Sequence, residues 1–181
     1  DGVEGPRSGL ERAYLMLDMG EIALGRGALF NVIEGLQPTE ATNVIQFAGL
    51  LGRLSEEAAE VLARAGVLAH RGIVNEAVSV LVDGTNELEV KEPPPLLAEA
   101  ARIADRGKAF ERSASIRTRL IYEYPEAPEL GDAALALARY RASTPNGIEQ
   151  AIAILEELIT TRPNAAVVPD ARVELEKLKG A

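Results

Sequence analysis

The sequence predicts an all-α chain, an α-α superhelix of about ten antiparallel helices. Three observations carry that expectation. Apolar residues recur at the 3.6-residue helical spacing along most of the chain. The ten prolines lie at 6, 38, 93–95, 125, 128, 145, 163 and 169, each between stripes or in a first turn, where a missing N–H is harmless. Glycine follows Arg or Asn between stripes at Arg26-Gly27, Arg71-Gly72, Arg106-Gly107 and Asn146-Gly147. Such a glycine can take the left-handed conformation that ends a helix.

Taken in order, the helices are expected at 8–24, 27–36, 39–53, 55–71, 73–83, 95–106, 108–124, 129–143, 146–162 and 168–179. Ser8 and Glu11 open the first with capping-box spacing, the hydroxyl accepting an orphan N–H while the Glu reaches back. Thr39, after Pro38, caps the third. Ser55 caps the fourth, with Glu56 and Glu57 at its positive end. Leu62, Ala65, Gly66 and Ala69 form a stripe of small residues there, which lets a neighbouring axis approach closely. The segment Gly84–Pro95 reads as a linker stiffened by three prolines, because Leu88 and Val90 alternate with charges too briefly to make a strand. Ala109, Ser113, Ile116, Leu120 and Tyr124 make the next stripe. Asn146 and Glu149 repeat the capping-box spacing before Ile148, Ala151, Ile152, Leu155 and Ile159. Val168, Ala171, Leu175 and Leu178 close the chain. Turn glycines Gly107 and Gly147 are 40 residues apart, and Pro125 and Pro163 are 38 apart. Spacings of this order suggest stacked helix–turn–helix units, which bury a continuous core only by stacking.

Composition narrows the chemistry. Of 181 residues, 47% are apolar and 26% charged, as in globular proteins. Absence of Cys removes thiol catalysis, disulfides, Cys-type zinc sites and iron–sulfur clusters, and a single His removes multi-His metal sites. Neither a metal nor a cofactor is expected. The net charge of −9 and an aromatic content of 4% argue against nucleic-acid binding. Residues 1–92 carry −8 and residues 93–181 carry −1, while Arg102–Arg119 holds six cations against two anions. That stretch reads as a solvated helix face or as an anion-accepting patch. No apolar run is long enough to span a membrane, and no secretion signal is present. The first residue is Asp1, which reads as a processed product or a piece of a longer chain.

No nucleophile elbow, HExxH, Walker-type loop or EF-hand spacing occurs, and GRGALF (Gly25–Phe30) follows no strand that would make it a phosphate loop. His70 is placed to meet the negative end of its helix. Glu56 and Glu60 share a helix face, the arrangement a carboxylate-pair hydrolase would use. The chain is not expected to be an enzyme.

The segment GIEQAIAILEELITTRPN (Gly147–Asn164) resembles the second helix of a tetratricopeptide repeat, with Ala151 at the helix crossing and Pro163 twelve residues later. YPEAPELGDAALALARYR (Tyr124–Arg141) resembles the repeat junction and first helix, in the variant of bacterial periplasmic and outer-membrane-associated repeat proteins. RPNAAVVPDARVELEKLKG (Arg162–Gly180) repeats that junction. The resemblance is clearest over 104–179. It divides the chain into 1–92, a region of degenerate helical hairpins, and 93–181, repeats closed by a C-terminal cap helix. It implies a concave groove lined by first helices, where Tyr140, Ser143 and Arg102 would hold a protein or peptide partner bearing a carboxylate or an acidic segment. The implied role is a non-catalytic interaction scaffold in the bacterial envelope, with the cytoplasm as the alternative location. A self-associating structural subunit and a carboxylate-pair hydrolase are the other readings.

Overall fold

A computed structural model describes residues 5–87 and 93–180. Among them are ten α-helices and no strand: α1 Pro6–Asp18, α2 Ile22–Val32, α3 Pro38–Leu51, α4 Glu56–His70, α5 Val74–Glu87, α6 Pro93–Arg106, α7 Phe110–Glu123, α8 Leu130–Ala142, α9 Ile148–Thr161 and α10 Val168–Lys179. A 3-10 turn, Ile33–Gly35, follows α2. The chain is therefore all-α, as its patterning predicts. It forms two compact units, Asp1–Ile103 and Ala104–Ala181.

In the first unit, α1 pairs with α2 and α4 with α5, α1 also packs on α4, and α3 lies against α2 and α4. Both hairpins close in one way. Gly20 and Gly72 have φ of 79°, and the next N–H reaches back five residues, from Glu21 to the Met16 carbonyl (2.9 Å) and from Ile73 to that of Leu68 (2.9 Å). This is the Schellman closure, which needs a left-handed residue. Gly72 was expected in that place, but the first break is not. It falls at Gly20, and Gly27 lies inside α2. Gly25 in the same segment serves packing: a Cβ there would stand 2.6 Å from Leu17 Cδ2. The small stripe of α4 does admit a close neighbour, for Gly66 faces the ring of Phe47 on α3.

Capping follows the prediction only in part. Ser55 Oγ accepts from the Ala58 N–H at 3.4 Å. Ser8 does not cap, because Pro6 starts α1 two residues earlier with Gly5 before it. Thr39 is likewise inside its helix, after Pro38 at the first position. In both places proline, with its preset φ and no N–H to satisfy, fixes the start. Asn146 has φ of 59° and is used for the turn, leaving Gly147 to open α9. The expected linker is also shorter than read. Gly84–Glu87 belong to α5 and Pro93–Pro95 form the first turn of α6, where prolines are tolerated. Residues 88–92 of that stretch lie outside the described residues.

The second unit repeats every 38 residues. α7 and α9 begin at Phe110 and Ile148, and α8 and α10 at Leu130 and Val168. The residues ending α7 and α9, Tyr124 and Arg162, have φ/ψ of −129°/62° and −132°/59°. Each is followed by proline, and the Ala127 and Ala165 N–H groups donate back to their carbonyls at 3.0 Å. Left-handed turn residues precede α7 and α9 at Lys108 (φ 62°) and Asn146 (φ 59°). These are the equivalent turn positions, and not Gly107 and Gly147, so the 40-residue spacing gives way to 38. In this register Ala151 corresponds to Ser113, which is fully buried, while Ala109 lies before α7. The stripe of α9 shifts as well. Ala151, Leu155 and Leu158 are buried and Ile148 is 45% exposed.

Candidate functional site

Arg102, Tyr140 and Ser143 fall in different units. Arg102 lies on α6 in the first, and its Nε donates to Glu99 Oε2 at 2.8 Å. Glu99 is only 2% exposed, so this guanidinium balances a buried carboxylate that would otherwise be costly to desolvate. Tyr140 and Ser143 lie one turn apart in the second unit. Ser143 Oγ donates to the Tyr140 carbonyl (2.7 Å), and the Arg141 guanidinium stands 5.9 Å from the half-buried Tyr140 ring. Tyr140 and Arg141 border a shallow depression of about 340 Å3 with Glu111, Ala114, Ser115 and Thr118.

Half of the cationic stretch is paired with carboxylates within the chain. Arg117, nearly buried, donates to both Asp105 oxygens (Nη1–Oδ1 3.3 Å, Nη2–Oδ2 2.6 Å) and to Ser113 Oγ. Arg119 donates to Glu123 (2.9 Å) and Arg102 to Glu99. Three of its six cations are thus held by the chain's own carboxylates, which favours the solvated-face reading over an anion-accepting patch. GRGALF lies within α2.

A larger groove, of about 890 Å3, opens in the second unit between α7, α8 and α9. Ile121 of α7, Leu130, Ala134 and Leu137 of α8 and Ile154 and Leu158 of α9 give it an apolar floor. Its rim alternates in sign, with Glu126 and Glu157 opposed by Arg141 and Arg162. Arg162 is a strut. It donates to the carbonyls of Ala127 (3.3 Å) and Pro125, joining the turn before α8 to its repeat equivalent, and lies 3.9 Å from Glu126. Arg141 has no ion-pair partner among the described residues and borders both the groove and the Tyr140 depression. Most of the wall comes from the second helix of each hairpin, not the first. The signal lay in α9, whose Ile154 falls off the buried stripe of Ala151, Leu155 and Leu158.

His70, in the last turn of α4, stacks on Tyr14 of α1 (centroids 4.0 Å apart, planes 13°), and its Nε2 is 3.0 Å from Glu11 Oε1. This ties two helices together. Glu56 and Glu60 are both exposed. Among the described residues no cluster of three metal-ligating side chains occurs, and no helix is long and apolar enough to cross a membrane. Compared with known proteins, the chain matches no family model and no curated sequence.

Proposed function

We propose that the protein is a non-catalytic helical-repeat scaffold that holds a segment of a partner protein. The observation that supports this best is the groove between α7, α8 and α9, apolar on its floor and edged by the unpaired guanidinium of Arg141. Leu, Ile and Ala in the floor reward burial of apolar side chains at about 25 cal/mol per Å2. Arg141 adds a charge-assisted bond to a carboxylate of the bound segment. The resemblance of 104–179 to tetratricopeptide repeats supports the same role, and its periplasmic variant extends the proposal to the bacterial envelope.

A photo-crosslinking residue at Ala153, on the groove wall, tests this in the native cell against the same residue at Arg172, exposed on α10. A partner captured from position 153 alone, and lost when Ile154→Glu or Arg141→Gln is added, is the expected result. Equal capture from both positions would refute the groove. Self-association is a second reading, favoured by Leu15 of α1, Met19 in the turn after it and Leu24 of α2, each more than half exposed. Light scattering over a concentration series reads it directly.

A further inference from the structure

The first unit carries a separate groove of about 650 Å3, formed by the C-terminal end of α1, the start of α2, and α4 and α5. Leu17, Ile22, Val61 and Val80 give it apolar walls. Asp18, Glu57, Glu60 and Asp83 stand around it, with Arg64 the only cation among its lining residues. Arg71 neutralises Asp18 at 2.6 Å. Glu57, Glu60 and Asp83 have no ion-pair partner among the described residues.

Folding accounts for only part of this arrangement of charge. Glu57 suits its place in the first turn of α4, at the positive end of the helix. Asp18 and Asp83 do not suit the helix dipole, and only Asp18 is offset, by Arg71. Asp18 is the last residue of α1 and Asp83 lies one turn short of the end of α5, and neither helix has a basic residue in its last turn. A carboxylate there meets the negative end of the helix dipole and is destabilising. Residues 1–103 as a whole hold 16 acids against 8 bases. Apolar walls beside three carboxylates that have no ion-pair partner among the described residues, Glu57, Glu60 and Asp83, suit a ligand that is cationic around an apolar centre.

We propose that this groove docks a segment of a partner protein bearing Lys or Arg side chains beside an apolar anchor. The anchor sits between Leu17, Ile22 and Val80, and the ammonium or guanidinium groups reach Glu57, Glu60 and Asp83. The groove is separate from that of α7–α9, so failure at one leaves the other standing.

The probe is a synthetic peptide of about twelve alternating Lys and Leu residues, followed by fluorescence anisotropy with the full chain. Glu60→Gln with Asp83→Asn removes two exposed charges without changing shape. That pair should weaken binding roughly tenfold, while Glu34→Gln with Glu40→Gln, exposed and outside the groove, should change it less than about twofold. Raising NaCl from about 50 to 300 mM should weaken the parent complex and affect the Glu60→Gln/Asp83→Asn complex less. A peptide of Lys and Ser should bind several-fold more weakly than the Lys/Leu one. Equal losses from the two charge-removing pairs would mean diffuse attraction to an acidic surface and would overturn the groove. Equal binding of the Lys/Ser peptide would remove the anchor. Circular dichroism melts of both double variants confirm that each remains folded.

Discussion

Replacing Gly66 by Ala probes the contact between α4 and the Phe47 ring of α3. Alanine in a helix interior is favoured over glycine by about 1 kcal/mol, so on an open face the change would stabilise the fold. Here the added Cβ would overlap Phe47 Cζ and stand 2.7 Å from Cε2, against an ordinary carbon–carbon contact of about 3.5–4.0 Å. The ring therefore has to retreat by roughly 1 Å. It has little room to do so. Phe47 is 5% exposed, and its other neighbour, Tyr14 at 6.1 Å, is itself stacked on His70. Overpacking of this kind costs about 1–3 kcal/mol, which offsets or outweighs the helix gain and leaves a net loss of up to about 2 kcal/mol. Urea denaturation followed by circular dichroism measures it. In a Phe47→Leu background the clash is gone, and Gly66→Ala should become neutral or stabilising, a coupling that a double-mutant cycle reports. Stabilisation by Gly66→Ala alone would show that α3 and α4 are not as close as described.

Gly72→Ala should lose about 1 kcal/mol purely from the backbone, since φ is 79° and no atom lies within 4 Å of the added Cβ; Lys108→Gly, at φ 62°, should gain up to about 1 kcal/mol, both read as shifts in thermal midpoint. Asp105→Ala leaves the nearly buried Arg117 with Ser113 alone and should destabilise the second unit by about 1–3 kcal/mol, whereas Arg117→Met with Asp105→Ala should recover much of that in urea titrations. Ser55→Ala should lose about 0.5–1 kcal/mol, at the low end for a cap because its bond is 3.4 Å long, with amide exchange rising first at Ala58.

Helix identity was legible because it is written in periodicity, and periodicity survives one-residue errors. Turn positions were less so. Gly27 and Gly20 look alike in sequence, and only the packing of Gly25 on Leu17 shows that the GRG segment lies within a helix. Lys108 in a left-handed turn gives no warning, since its neighbour Gly107 is the residue that composition nominates. Proline starts outranked hydroxyl caps at α1 and α3 because ring closure fixes φ locally. The Arg102–Glu99 pair illustrates a harder limit. An i,i+3 salt bridge is ordinary on paper, and that Glu99 is buried depends on tertiary contacts no local pattern encodes. The α7–α9 groove was hidden for the same reason, being made where three elements leave space.

The matched joints of the second unit have a further consequence. Tyr124 and Arg162 bend the chain through nearly the same angles, so a duplicated block of 38 residues would meet the same joint at each of its ends. Such a chain can grow by gene-level copying, one rung at a time, each rung bringing its own trough and its own chance to vary the residues that line it. Lengthening and diversification are thereby decoupled from the problem of folding anew.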